Sequence, residues 1–405
     1  MATGASGAVR KVDGRRMQQA NRAIVLEIVR TDPTLSRAEI ARQTGLSPAA
    51  VTGIVDHLLT EGLVLEVGPG TATGLGRRPR RLAFNPHARA ALGIALDVRE
   101  VRAALVDLGG SIAVVERADI PDDATPAEAL AVAARTAMRV LDAPGDRPVI
   151  GVGMAIPGMV GWPGGVSLFS PNAGWREVPV RAEMERLLSR PVLVDNEVRA
   201  LALAEHRYGA ALGVGTAVFL DAGYGMGGAV ILAGSLYRGV RGAAAEIGHN
   251  TVEPDGPICA CGNRGCLEVF ASTHGLLARA ADALAAGVPS ILHGAQGPLT
   301  VPLVLAAAER GDPLAVGLTG RAATYLGLAV ANAMDNWDPD LAVLSGPMIR
   351  ISDPYYAAVL AAANRAVLET GRDRIPIVRA TLDNDAKIIG AAALAISDYL
   401  AAAGG

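Results

Sequence analysis

Apolar residues recur at helical spacing over Asn21–Arg30, with Ala23, Ile24 and Ile28 among them, and the run breaks at Thr31-Asp32-Pro33. Ser36 followed by Glu39 has the spacing of a capping box, so a second helix starts there and ends near Gly45. Ser47 caps a third helix, with Pro48 at its first position, where a missing N–H costs nothing. Gly62 closes that helix near Glu61. Two strand-like runs, Leu63–Val67 and Arg81–Phe84, flank a glycine-rich basic loop at 68–80. The predicted order is three helices and a hairpin, behind a basic tail at 1–20 that reads as disordered.

After Asn85-Pro86 the texture changes. Short Val/Ile/Leu/Ala runs alternate with Ala-rich helical stretches. Ala91–Leu96 and Val101–Asp107 read as a hairpin followed by a strand at Ser111–Ala118. Pro126–Leu141 reads as a helix, and Val149–Ile156 and Val192–Asp195 as buried strands. Val214–Leu220 and Ala229–Leu232 form a second hairpin, Leu341–Leu344 a late strand, and Ala386–Ala401 a last helix that returns to the first half. Strands alternating with helices give an α/β class, and two hairpin-led halves point to two related lobes.

Composition narrows the function classes. The 405 residues suffice for two or three domains without staples. Four Phe, three Trp and seven Tyr are too few for the stacking platforms of a single-strand nucleic-acid binder. Three clustered cysteines exclude a disulfide scaffold and point to metal binding in a reducing compartment. No apolar signal segment opens the chain and no run of 18 apolar residues occurs, so a cytoplasmic protein without a membrane span is expected. The net charge of -3 hides an asymmetry. Residues 1–90 hold 13 basic and seven acidic residues, whereas the rest holds 24 basic and 33 acidic. A basic front on an acidic body suits contact with a polyanion.

The stretch SRAEIARQTGLSPAAVTGIVDHLLTEGLV has the pattern of a helix-turn-helix. Ala41 is small where two helices cross, Gly45 permits the tight turn, and Ile40, Val51 and Ile54 supply the apolar seam. The second helix would enter the major groove by its start, placing Ser47, Ala49, Ala50, Thr52 and Gly53 at the bases. The hairpin adds a wing whose tip carries Arg77, Arg78, Arg80 and Arg81, suited to phosphate or a narrow minor groove.

The densest chemistry lies at 219–268. His249 precedes Cys259 by ten residues, and Cys259, Cys261 and Cys266 follow as Cys-x-Cys-x4-Cys, with Gly262 and Gly265 as turn residues. One imidazole and three thiolates suit a closed, structural Zn²⁺ site. The alternative is three reduced thiols packed in a loop.

This stretch resembles the ROK family (repressor, open reading frame, kinase). The matching residues are Gly223-x-Gly225-x-Gly227, a loop with Gly239, Glu246-Ile-Gly-His249, and Cys-x-Cys-Gly-x-x-Gly-Cys-x-Glu268. VLVDNEVRALALAE at 192–205, IPG at 156–158, PNAGW at 171–175 and DAKIIGAAALA at 385–395 extend the resemblance. It implies a winged helix-turn-helix at 21–87 and an actin/hexokinase-like (ribonuclease H-like) two-lobed domain at 88–405. Lobe one would span 88–205 plus the helix 386–401, and lobe two 206–385. It implies zinc on His249, Cys259, Cys261 and Cys266, and sugar hydroxyls bound by Asn172, Asn196, Glu197, Glu246, His249 and Glu268. Fixed carboxylates and an amide are the groups a sugar needs.

The chain departs from the family's kinases. Glu197 stands where they carry a catalytic Asp, so the base position is vestigial and no catalytic residue is expected. Asp97-Val-Arg-Glu-Val101 replaces a glycine-bearing phosphate loop, Tyr224 stands where a Thr is usual, and Leu344-Ser-Gly346-Pro lacks a doubled glycine. The expectation is a transcriptional regulator, most simply a repressor, released from double-stranded operator DNA by a sugar or sugar derivative. It would act as a homodimer or homotetramer. An ATP-dependent sugar kinase with a DNA-binding arm, and a regulator answering to a protein, are the alternatives.

Overall fold

A computed structural model describes residues 14–69, 80–143, 145, 147–371 and 374–402. It opens with α1 (Gly14–Thr31), α2 (Arg37–Thr44) and α3 (Pro48–Thr60), followed by the antiparallel pair β1 (Val64–Pro69) and β2 (Arg80–Phe84). α1 starts at Gly14, so residues 14–20, read from sequence as part of a disordered tail, are helical. Residues 1–13 lie outside the described residues. The reason is on one face of α1: Val25, Leu26 and Val29 are buried, and that packing carries the helix back into polar sequence. The Ser36–Glu39 capping box forms, and Gly45 turns the chain at φ 69° between α2 and α3.

The first lobe runs through β3 (Ala90–Leu96), β4 (Glu100–Asp107), β5 (Ile112–Asp119), α4 (Pro126–Leu141) and β6 (Val149–Ile156). A small sheet of β7 (Met159–Gly161), β8 (Val166–Ser170) and β9 (Trp175–Val178) follows, then α5 (Val180–Leu188), β10 (Val192–Asn196) and α6 (Glu197–Tyr208). The second lobe holds β11 (Ala217–Ala222), β12 (Met226–Leu232), β13 (Ser235–Tyr237), α7 (Leu267–Ala271), α8 (Thr273–Ala285), α9 (Val301–Glu309) and α10 (Pro313–Trp337). It ends with β14 (Leu341–Ser345), α11 (Pro347–Ile351), α12 (Asp353–Ala366) and β15 (Ile377–Arg379). The last helix, α13 (Ala386–Ala402), returns to the first lobe.

The two main sheets share one topology. In the first the order is β10-β6-β3-β4-β5, and in the second β13-β12-β11-β14-β15. Each begins as a three-stranded antiparallel meander whose first strand takes one parallel neighbour, which in turn takes a second. This is the pair of related lobes that the two hairpins foretold. Val214, expected to start a strand, lies before β11; apolar residues continue through Ala222, and the strand follows them.

α13 is wedged between the first sheet and α6. A Cβ on Gly153 would lie 1.8 Å from the Ala391 carbonyl, and one on Gly390 would lie 1.8 Å from the Ala200 carbonyl. The three elements therefore pack backbone to backbone, with no side chain to act as a cushion. One apolar core runs from Val25, Val29, Ile40, Val51 and Leu58 of the N-terminal unit into Val106 and Leu108 of β4 and its following turn, and on to Ile388, Ala392 and Ile396 of α13. Among the described residues, α10 alone is long and apolar enough to cross a membrane, and its buried residues, from Ala315 to Met334, pack inside the second lobe.

Candidate functional site

A cavity of about 60 Å³ lies between the lobes. Asn172, Asn196, Glu197, Glu246, His249 and Glu268 all line it, so the six residues expected at a sugar are brought together. Asn172 stands in the short turn after β8, Asn196 closes β10, and Glu197 opens α6. Glu246 and His249 bracket a single 3-10 turn, and Glu268 sits in the first turn of α7.

Each position has a local cause. Asn196 is the N-cap of α6: its Oδ1 accepts from the Val198 and Arg199 amides at 2.9 and 3.1 Å. Its Nδ2 donates to the Gly158 carbonyl at 2.8 Å, which leaves one N–H for a ligand. Glu268 Oε2 accepts from the Met226 amide at 2.9 Å. A Cβ on Gly225 would stand 2.7 Å from that oxygen and 3.0 Å from Asn172 Nδ2. The glycine thus gives Glu268 and Asn172 room to converge. Burial raises the carboxyl of Glu246 above the usual range, against the pull of His249 and Arg199 and with help from Glu268.

Beneath the cavity, buried Asp195 accepts from Arg199 Nε at 2.9 Å and from Arg238 Nε at 2.7 Å. Arg199 also donates to the carbonyls of Gly242 and Val160 at 3.0 and 3.2 Å, and the Arg238 guanidinium stands 3.9 Å from the Trp162 ring centre. This clamp ties a second-lobe loop to the first lobe. Sequence reasoning missed it, because an Asp and an Arg 43 residues apart carry no local signal.

The ligand atoms of His249, Cys259, Cys261 and Cys266 all lie within 4.8 Å of one another. His249 Nδ1 is 3.8 Å from Cys259 Sγ, and Cys261 Sγ is 3.7 Å from Cys266 Sγ. A tetrahedral Zn²⁺ with bonds of about 2.3 Å to sulfur needs ligands about 3.8 Å apart, so the donor set and its size fit. Burial pushes the Cys266 thiol up to about 11 and the Cys259 thiol higher still, so a metal entering here displaces protons. Gly265, at φ 62°, passes so close to the Glu253 carbonyl that no side chain fits. Glu268 Oε1 stands 3.9 Å from Cys259 Sγ, which joins the cysteine loop to the cavity wall.

At the other end of the molecule, Ser47, Ala49, Ala50, Thr52 and Gly53 are all exposed on the start of α3. Ser47 Oγ accepts from the Ala50 amide at 3.2 Å, and Thr52 Oγ1 donates to the Pro48 carbonyl at 2.8 Å. Both hydroxyls are engaged with the helix and keep partial capacity for a base edge. Ile40 and Val51 are buried in the seam, with Ile54 half-buried. Arg80 pairs with Glu66 at 3.0 Å. Arg77 and Arg78 lie outside the described residues.

The small cavity opens into a cleft of about 1010 Å³ between the lobes. Lys387, in the first turn of α13, stands at the junction and lines both. Its Nζ is 2.6 Å from Glu197 Oε2 and 3.2 Å from Asp221 Oδ2. Sequence reasoning did not single it out; the one cation in the DAKIIGAAALA run, followed by apolar residues alone, was the available signal. At the mouth of the cleft, the turn after β3 is closed on itself, with the Val98 amide donating to Asp97 Oδ1 at 2.6 Å.

Comparison with known proteins fits this anatomy. A family model described as the ROK family matches residues 91–398, and one described as winged helix-turn-helix DNA-binding matches residues 21–64. The xylose repressor of Caldicellulosiruptor bescii is 28% identical over 388 residues, spanning 95% of this chain and 97% of its own. A solved ROK family transcriptional regulator, described as a homologue of the Escherichia coli MLC protein, superposes with a TM-score of 0.81 at 27% identity over 96% of this chain and 99% of its own. A ROK family glucokinase from Streptomyces griseus, solved with glucose and AMPPNP, is 28% identical with a TM-score of 0.66. It covers 98% of its own length but 75% of this chain. These likenesses bear out the fold class: a winged helix-turn-helix followed by a two-lobed actin/hexokinase-like domain. The chain belongs to the ROK family.

Proposed function

We propose that this protein is a sugar-responsive, DNA-binding transcriptional repressor, whose operator complex is released when a neutral sugar or sugar derivative enters the cavity at Asn196, Glu197, Glu246, His249 and Glu268. The observation that carries this reading is that both helices leaving the cavity reach the DNA-binding unit. α6 begins at Glu197 and ends beside α1, where Arg30 Nη1 donates to the Arg207 carbonyl at 3.3 Å. α13 begins beside Lys387 and ends in the apolar core it shares with α1. A ligand touching both lobes biases their arrangement only by binding one arrangement better, and these helices give that bias a route to α3.

The exposed start of α3 is the major-groove reader, and Arg77, Arg78 and Arg80 hold phosphate. A homodimer presents two such units to half-sites about one helical turn apart or a multiple of it. Zn²⁺ on His249, Cys259, Cys261 and Cys266 braces the cavity wall and fixes the His249 ring, leaving its other edge toward the ligand. Fluorescence anisotropy on the protein's own upstream intergenic duplex tests the DNA half. Salt-sensitive binding is expected, and its absence at moderate salt overturns the reading.

The second reading, a sugar kinase with a DNA-binding arm, rests on the glucokinase likeness. Three observations weigh against it: Glu197 is held by Lys387, the Val98 amide is spent on Asp97, and Arg99 and Glu100 stand in the turn where a phosphate must approach. An ADP-release assay over a sugar panel is expected to show no turnover; turnover that needs Glu197 restores the kinase.

A further inference from the structure

We infer that Lys387 is a tethered cation that closes the cleft to metal-bound phosphate, and is therefore a specificity-determining residue of the ligand site. Three carboxylates from three separate elements converge at the junction of the two cavities: Asp97 after β3, Glu197 at the head of α6 and Asp221 in β11. Carboxylates converging from fixed backbone positions are how a hard divalent cation is held. Here the Lys387 ammonium occupies that convergence, on Glu197 at 2.6 Å and Asp221 at 3.2 Å. The residues thus do not fit a divalent ion while the lysine is in place. Asp97 belongs to the same field, and the three acids together drive the lysine far above its ordinary basicity, overcoming the effect of burial. An ion seeking the spot must break two charge-assisted bonds and leave the half-buried ammonium unpaired beside it.

The fold alone does not close the cleft, because the solved glucokinase of the same family holds AMPPNP together with glucose. The closure therefore lies in side chains, and Lys387 is the cation that lines both cavities at the junction. The same ammonium spans the lobes, since Glu197 belongs to the first and Asp221 to the second. A neutral sugar that reaches the free oxygen of Glu197 leaves this pair intact, whereas a metal–phosphate group does not. The inference goes beyond the repressor reading and stands whether or not the chain binds an operator.

The test is a titration of Mn²⁺, alone and with AMPPNP, into the full-length zinc-saturated protein, read by calorimetry and by the Mn²⁺ paramagnetic resonance signal. Wild type and Lys387→Arg are expected to bind no Mn²⁺ in the millimolar range. Lys387→Ser is expected to gain affinity by about tenfold or more, since three carboxylates, Asp221 buried and Asp97 and Glu197 half-buried, are left without a cation. The gain should vanish on adding Asp221→Asn. Circular dichroism and a thermal melt confirm folding; if Lys387→Ser does not fold, Lys387→Gln, which fills the same space without charge, is read in its place. Mn²⁺ binding by wild type as tight as by the folded variant overturns the inference, and so does a folded variant that gains nothing. Neither result bears on DNA or sugar binding, so failure here is separable from failure of the repressor reading.

Discussion

Asp195 shows what a single residue contributes. It is fully buried and balances two guanidinium groups, Arg199 from its own lobe and Arg238 from the other. Asp195→Ala leaves Arg199 charged and unpaired in the interior, and is expected to cost about 3–5 kcal/mol of stability. Calorimetric melting checks this, and a loss below about 1 kcal/mol contradicts the clamp, since an exposed pair is worth no more. The sequence made the cysteine cluster and Glu246-Ile-Gly-His249 legible because the partners are close along the chain. Lys387 and Glu197 are 190 residues apart, and only the return of α13 brings them together. Charge pairs made by topology leave no spacing to read.

At the scale of elements, the capped helices were the most legible. α4 spans the stretch expected of it because Thr125 and Glu128 form a capping box and Pro126 sits at its first turn. The small sheet β7–β9 was not foreseen, since strands of three to five residues carry too few positions to show alternation. α10 was not foreseen either: its 25 residues are so rich in Ala and Gly that the polar face barely contrasts with the buried one. Cys261→Ser, or chelation of the metal, is expected to lower the melting temperature by several degrees and to weaken sugar binding, because the start of α7, which carries Glu268, loses its anchor at Cys266. Operator binding without sugar should survive; its loss would contradict a purely bracing metal. In the wing, Arg77→Ala with Arg78→Ala should weaken binding to every duplex alike and reduce the slope of log K against log salt by about 2. A change confined to one base pair would instead place these arginines at base edges.

The whole molecule is two lobes of one topology with a DNA-binding unit fused to the first by a continuous core. α6 is 12 residues and α13 is 17, so each spans about 18–25 Å at 1.5 Å per residue. Those lengths reach from the cavity to α1 without a hinge. The two-lobed class was legible from alternating runs, but the path between the two sites was not, because it depends on where the last helix lands. In the proposed repressor, one small molecule in the cavity controls DNA binding at α3. The most direct measurement is anisotropy of the operator complex titrated with a panel of hexoses, pentoses, amino sugars and their phosphates, repeated with Glu246→Gln. Release by a neutral sugar is expected, with the dose response shifted by about tenfold or more in the variant, the size expected for a hydrogen bond to a charged group. An operator complex that every sugar leaves intact, or a release unchanged by Glu246→Gln, would contradict it.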